Sequence, residues 1–586
     1  MTTLESAAAR DESPREGERS ASAAGTLAWI GAIAVGLAAL GLCLWRLMPG
    51  LGFWDTAEFQ MVLPVMGTAH PTGYPTYVLL GWLASLILTP IGEPALRINV
   101  LSAILVGFGA GLTVDLVRRL TGSLVLGVVT GVGVALTPIV WAIGTRADPH
   151  ALHFALLVLI VWLLVRWEHD RRGSPVDPDV MPKTQARADR WLVAAAVVTG
   201  ISTGNHSLTL LLGPPIILFV LTVAPDIVRR PRLIATCVAA VAIPAVLVRF
   251  EMILRAGWLK APFVYANPST WDGFWYVTSG QQFHGWLTDP LGDWPRRIAD
   301  LTQITGLQLG PLAPLVVIAF VVTAVRLPRY AVLSGTAVAI TCFFNSVYPD
   351  GAIDRYYIGP AFLAWTWLAV LGGTFVDAIL GNIRGPFAEP ADDADAIDGR
   401  PAIDETVRPA IPEPGGAIVA NDRIGGRLTS LSLTRGLGVL AVAGLLLGPS
   451  LFDLSDRATT VDRSHDVLAQ TWTNEVLTAL EPNAVVISWW SYSTPLWYGQ
   501  IVDGRRPDIF IIDDRTRLDL NLGELPQVID KYIAERPIYV IRNDPAELDQ
   551  LAVRYTVTPL GAPDAPNVFR VTPKAAAVLS LIGARR

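Results

Sequence analysis

Apolar segments long enough to cross a bilayer recur along this chain, and that recurrence restricts its fold more than any other property. A helix rises about 1.5 Å per residue and a bilayer core is roughly 30 Å thick, so about 20 apolar residues make a span. The run from Thr26 to Met48 meets that length, which argues for a retained helix over a cleaved signal sequence, with a signal anchor as the nearest alternative. Further candidates lie at 98–117, 123–143, 150–166, 191–205, 207–224, 233–250, 312–325, 331–347, 358–380 and 436–452. The expectation is a polytopic α-helical membrane protein with about 11 transmembrane helices. Composition agrees: 52% of the 586 residues are hydrophobic, 16% are charged, and the mean hydropathy is +0.44. The net charge of −6 leaves no basic excess, so nucleic acid is not an expected partner. Cys43, Cys237 and Cys342 sit in or beside apolar runs without paired or metal-ligand spacing, and read as small apolar residues.

Arginine placement sets the sidedness. With a cytoplasmic amino terminus, the inner connections carry Arg118 and Arg119, then Arg166–Arg190, then Arg229, Arg230 and Arg232, then Arg326 and Arg329, then a polar linker over 381–435. The apolar piece 76–91 is short and bounded by prolines, and counting it as a span would put the later basic loops on the wrong side. It therefore reads as a re-entrant or interfacial helix within a first outer loop of 49–97. The expected organisation is a disordered cytoplasmic tail over 1–26, a transmembrane module over 27–380, the cytoplasmic linker over 381–435, a last transmembrane helix at 436–452 and an extracytoplasmic domain over 453–586. In that domain, β-rich runs at 484–490, 508–513 and 537–542 alternate with helical stretches, which predicts an α/β fold with a mainly parallel sheet. No GxGxxG or P-loop pattern follows these strands. The multi-pass arrangement suits a plasma membrane, with the lipid bilayer as its first partner.

The unusual polar residues gather in the outer connections. In Gly52-Phe53-Trp54-Asp55-Thr56-Ala57-Glu58-Phe59, a helix places Asp55 and Glu58 on one face at i and i+3. Two carboxylates at a membrane surface suit general-base work on a hydroxyl; alternatively Asp55 is an N-cap and Glu58 completes a capping box. The turn His70-Pro71-Thr72-Gly73-Tyr74-Pro75 follows. Arg146 pairs either with a substrate phosphate or with Asp148 in a local loop ion pair. Asn205 and His206 sit between two short apolar segments, where they bind hydroxyls or satisfy the backbone of a broken helix. Arg355 and Tyr356, just before a span, suit a lipid phosphate and a headgroup boundary, with an Asp354–Arg355 interfacial anchor as the alternative. The stretch Phe274–Trp286 combines aromatics with Gln281, Gln282 and His284, as sugar sites do, or forms an aromatic belt.

WDTAEF, HPTGYPTY, Gly204-Asn205-His206 and WWSYSTPLWYGQ…RRPDIFIID together resemble the protein O-mannosyltransferase-like glycosyltransferases of family 117, in the GT-C superfamily of polyprenyl-phosphate-dependent enzymes. The resemblance covers most of the chain, and the first-loop motif is its most specific part. It implies a GT-C-like fold and an acidic catalytic base in the first outer loop, which falls on Asp55 with Glu58 as neighbour. Many relatives have an acidic residue followed by an aromatic in the second outer loop, whereas this chain reads Arg146-Ala147-Asp148-Pro149-His150.

The expected activity is inverting transfer of a hexose, mannose first, from a polyprenyl-phosphate donor to a hydroxyl of a protein, lipid or polysaccharide on the outer face. Asp55 and Glu58 are the catalytic candidates; His70, Tyr74, Arg146, Asp148, Asn205, His206, Gln282, His284, Arg355 and Tyr356 are the substrate-binding candidates. No cofactor is firmly implied: a lipid-phosphate leaving group demands no metal, and a divalent metal stays open. The alternatives are a transporter or flippase of lipid-linked sugars, for which no internal repeat speaks, and a glycolipid-binding relative without catalysis.

Overall fold

The computed structural model describes residues 13–172, 181–286, 292–348, 353–379 and 420–574. Among them, seven helices are long and apolar enough to cross a membrane: Gly25–Trp45, Pro94–Thr121, Pro149–Arg172, Pro231–Trp258, Pro328–Val347, Ile353–Ile379 and Thr434–Phe452. Trp294–Leu312 and Leu315–Arg326 make an eighth if a pair bent by 80° counts as one span. The other expected spans fall on shorter or broken helices, and local chemistry explains each case. The stretch 123–143 splits into Leu124–Ala135 and Pro138–Ile143 because the residue before a proline resists the helical region. The stretch 191–205 belongs to Met181–Ser202, whose first turns are polar, and 207–224 is a 3₁₀ turn, Ser207–Leu212, leading into Gly213–Val223. The stretch 312–325 is confined to twelve helical residues after the bend. The helix Pro75–Ile87 has 13 residues, about 20 Å, too short to cross.

Two boundaries also move. The expected tail 1–26 is helical from Ser13 onward, continuous with the first span, and residues 1–12 lie outside the described residues. The helix Ala420–Phe452 begins inside the expected linker, whose other part, including the acidic stretch 389–398, lies outside the described residues.

Helix Pro94–Thr121 is the centre of the bundle and packs on the first helix, on Leu124–Ala135 and on Pro149–Arg172. It starts with proline at its first turn, stops at Gly122 in the left-handed region (φ 70°), and carries Arg118 and Arg119 where the helix dipole favours cations. Its contact with the first helix is backbone to backbone. A Cβ on Gly107 would lie 2.7 Å from the Gly36 carbonyl, and one on Gly111 2.6 Å from that of Ala32. The arginines gather at the far end of the bundle, where Arg171 pairs with Asp189 and Asp226, Arg230 with Asp189, Arg329 with Glu168 and Arg435 with Asp377.

At the opposite end sits the C-terminal domain. Its sheet has the order β2-β1-β3-β5-β4, with β1 at Val485–Ile487, β2 at Phe510–Ile512, β3 at Ile538–Ile541, β4 at Tyr555–Pro559 and β5 at Val568–Pro573. β1 pairs in parallel with β2 and β3, as the three β-rich runs predict; β5 is antiparallel to both β3 and β4. The last two strands escape a sequence reading because edge strand β4 is only five residues long, turns Thr556, Thr558 and Pro559 to solvent and carries just Tyr555 and Val557 on the core side. Side chains alternate across the sheet. Val485, Ile487, Ile512, Ile538 and Val540 pack on the domain's own helices, while Val486, Ile511, Tyr539 and Ile541 join a core shared with Phe59, Met61 and Tyr77 of the first outer loop. The domain and that loop therefore form one hydrophobic unit.

Candidate active site

The site is built on the helix Trp54–Val62. Phe53 is its N-cap, with no side-chain cap, so Asp55 lies in the first turn and the capping-box reading of Asp55 and Glu58 is corrected. Trp54 enters at φ 59°, unusual for a bulky residue. Two contacts from the C-terminal domain hold that turn: Thr494 Oγ1 donates to the Trp54 carbonyl at 3.1 Å, and the Phe53 ring sets its edge against Trp472 and Tyr492 at 5.7 and 5.5 Å.

The two carboxylates of this helix part company. Glu58 is fully buried and accepts the His70 backbone N–H at 2.6 Å while pairing with His70 Nδ1. Burial pushes the Glu58 carboxyl up, opposed by His70. Burial also pulls the His70 imidazole down, but the Glu58 carboxylate outweighs it and raises His70 to about 9. Asp55, by contrast, lines a cavity of about 1020 Å³ and lies 3.7 Å from Arg355 Nη2. His70 lines the same cavity, with its Nε2 3.4 Å from the Tyr74 hydroxyl.

Arg355 bridges two acids, Asp55 and Asp148, the latter at 3.4 Å, so neither the Asp354–Arg355 anchor nor an Arg146–Asp148 bridge describes it. Asp148 is buried, which alone would raise its pKa; Arg355, then His150, whose N–H and Nδ1 lie 2.9 and 2.8 Å from it, hold it well below the usual carboxylate range. Asp148 thus serves Arg355 and His150 from behind, while Arg146, His150, Arg355 and Tyr356 line the cavity. Asn205 and His206 separate in role. Asn205 is buried and donates to the Pro149 carbonyl at 3.1 Å, at the start of another helix and not at its own broken one. His206 also caps the 3₁₀ turn, accepting the Leu208 N–H at 3.1 Å, but its ring lines the cavity 4.8 Å from His150 and 5.3 Å from Tyr356. Burial keeps His206 neutral, its pKa far below the ordinary value.

Gln282 and His284 line the outer side. The Gln282 Oε1 accepts from the Tyr265 and Tyr276 hydroxyls at 2.9 and 3.4 Å, and His284 Nε2 lies 3.0 Å from the Ser279 carbonyl. The structure adds His150, Tyr265, Trp490, Asp513 and Arg515 to the residues chosen from sequence. For the last three a signal existed: they follow β1 and β2, and open α/β sheets present ligand sites at the carboxyl ends of parallel strands.

Asp55, Glu58 and His70 offer ligand atoms within 4.8 Å of one another, a donor set of the kind that holds a divalent cation. The Glu58–His70 pair would have to open for all three to serve.

Residues 55–226 match the family model of the protein O-mannosyl-transferase TMEM260 N-terminal domain. Over 274 residues, 46% of this chain, the sequence is 28% identical to the mouse protein O-mannosyl-transferase TMEM260, and the match spans 34% of that relative's length. Among solved structures, ArnT from Cupriavidus metallidurans bound to undecaprenyl phosphate shares the fold at a TM-score of 0.55 and 14% identity, over 93% of this chain and 98% of ArnT. ArnT in the apo state gives 0.54 and 14%, over 95% and 99%. The resemblance carried by the first-loop motif therefore extends to known proteins: this is a multi-pass membrane protein that shares its fold with ArnT and is similar, over its site-bearing N-terminal part, to the protein O-mannosyl-transferase TMEM260.

Proposed function

We propose that the protein transfers a hexose, mannose first, from a polyprenyl-phosphate donor to a hydroxyl acceptor, with inversion and with Asp55 as general base. The observation that carries this reading is the pairing of opposites in one cavity: Asp55 is the first-loop carboxylate that faces it, 3.7 Å from the guanidinium of Arg355. A donor phosphate fits between Arg355 and Arg146, with Leu210 and Phe344 beside it for the lipid. The acceptor oxygen attacks the anomeric carbon from the face opposite the phosphate, Asp55 takes its proton, and the bond from carbon to phosphate oxygen breaks with its electron pair leaving on the phosphate. The arginines offset the charge that the phosphate gains. The mannosyl choice rests on the similarity to a protein O-mannosyl-transferase, and the lipid carrier on the fold shared with an undecaprenyl-phosphate-bound ArnT. The arginine-rich end of the bundle supports a site that faces away from the cytoplasm.

Asp55→Asn tests the assignment. It should cut transfer by about 100-fold or more, the usual worth of a general base, while thermal stabilisation by undecaprenyl phosphate persists. Near wild-type transfer by that variant would remove Asp55 from the role.

A further inference from the structure

The two walls of the cavity differ in chemistry. The membrane-side wall carries Arg146, Arg355, His150, His206, Leu210 and Phe344, a cationic and apolar set. The outer wall comes from other parts of the chain: Tyr265, Thr278 and Gln282 from the loop after Pro231–Trp258, and Trp490, Asp513 and Arg515 from the C-terminal domain. Among the described residues its lining holds aromatic rings and polar groups and no aliphatic side chain. Its charge is compensated locally, because Arg515 pairs with Asp519 at 2.5 Å while stacking on Tyr276 at 4.5 Å. Asp513 is 2% exposed, fixed by the Thr516 N–H at 2.7 Å, and still borders the cavity. With its oxygen held by two tyrosine hydroxyls, Gln282 has its amide nitrogen to offer, and Thr278 Oγ1 is shielded without a hydrogen-bond partner. The Trp490 ring lies 5.6 Å from that of Tyr265 on the same wall and 6.1 Å from that of His70.

We propose that this outer wall is the acceptor subsite and that the acceptor it takes is a carbohydrate; the inference rests on the glycosyl-transfer reading above. A saccharide presents C–H faces to aromatic rings and adjacent hydroxyls to planar carboxylate, carboxamide and guanidinium groups, which is the set found here. A phosphate is disfavoured beside the buried carboxylate of Asp513 and favoured on the opposite wall. An extended polypeptide is held by strand pairing or by apolar side-chain pockets, and the described residues of this wall offer no aliphatic pocket. Asp55 lines the same cavity 3.7 Å from Arg355, so an acceptor hydroxyl bound on the outer wall would meet it beside a donor whose phosphate sits on Arg355.

The test uses the full chain in lipid nanodiscs, a labelled polyprenyl-phosphate hexose, and two acceptor probes: a panel of methyl hexosides and a Ser/Thr-rich polypeptide. Wild type should transfer to a hexoside. Arg515→Ala and Gln282→Ala, on separate elements, should each raise the acceptor KM about tenfold or more and leave the donor KM and stabilisation by undecaprenyl phosphate within about twofold. Transfer to the polypeptide with none to any hexoside overturns the carbohydrate assignment, and an equal rise in donor KM overturns the subsite. A wild-type chain that undecaprenyl phosphate does not stabilise, and that transfers to neither probe, refutes the underlying reading and the subsite with it.

Discussion

At the scale of single residues, the site divides into groups that face substrate and groups that hold them. Glu58 and His70 form a buried pair, and its pH behaviour follows from the pKa shift. An ordinary histidine titrates near about 6.5, whereas His70 is held at about 9. A group whose folded pKa is raised stabilises the fold fully below its unfolded value and loses that contribution as pH climbs through the folded one. The melting temperature in detergent should therefore fall between about pH 7 and 9 in wild type, and Glu58→Gln should flatten the slope. A wild-type curve without that slope would rule out the charged pair. Arg355 bridges Asp55 and Asp148 with a planar fork that lysine cannot reproduce. Arg355→Lys should raise the donor KM by about tenfold or more, equivalent to roughly 1.4 kcal/mol, in a steady-state transfer assay.

At the scale of elements, precision at Asp55 depends on contacts made far away in sequence. The turn that starts its helix is held by Thr494, fully buried in the helix Trp490–Ile501, which packs along Trp54–Val62. Thr494→Val removes one hydrogen bond, worth about 1 kcal/mol, and should lower kcat with little change in donor KM; Thr494→Ser, which keeps the hydroxyl, should restore most of it. Loss in Thr494→Ser without loss in Thr494→Val would show that volume, not the hydrogen bond, matters. Between the first two long helices, Gly111→Val places a branched side chain where a Cβ alone would sit 2.6 Å from the Ala32 carbonyl. Overpacking of this kind costs about 1–3 kcal/mol, and thermal denaturation should report it.

At the scale of the whole molecule, the C-terminal domain is part of the cavity, because one face of its sheet completes the core around the first outer loop. This shared core also places the domain at the same end of the bundle as that loop, away from the arginine-rich end. A cysteine introduced at Val553, which is 78% exposed, in a chain whose three native cysteines are replaced, should react with a membrane-impermeant maleimide in intact cells. Labelling that requires lysis would reverse the orientation.

The sequence by itself determined the membrane class, the long apolar helices, the two ends of the bundle and the first three strands, because hydrophobic run length, arginine placement and β-branched clusters are local properties. It also marked Asp55, Arg355 and His206, since ionisable groups beside spans are costly to desolvate and stand out. Only the tertiary structure decided that Glu58 turns away to His70, that Arg355 joins Asp55 to Asp148 rather than to Asp354, and that Trp490 and Arg515 close the cavity. Those choices depend on contacts across hundreds of residues, where packing and the requirement to pair every buried charge select one partner among several that sequence leaves equivalent.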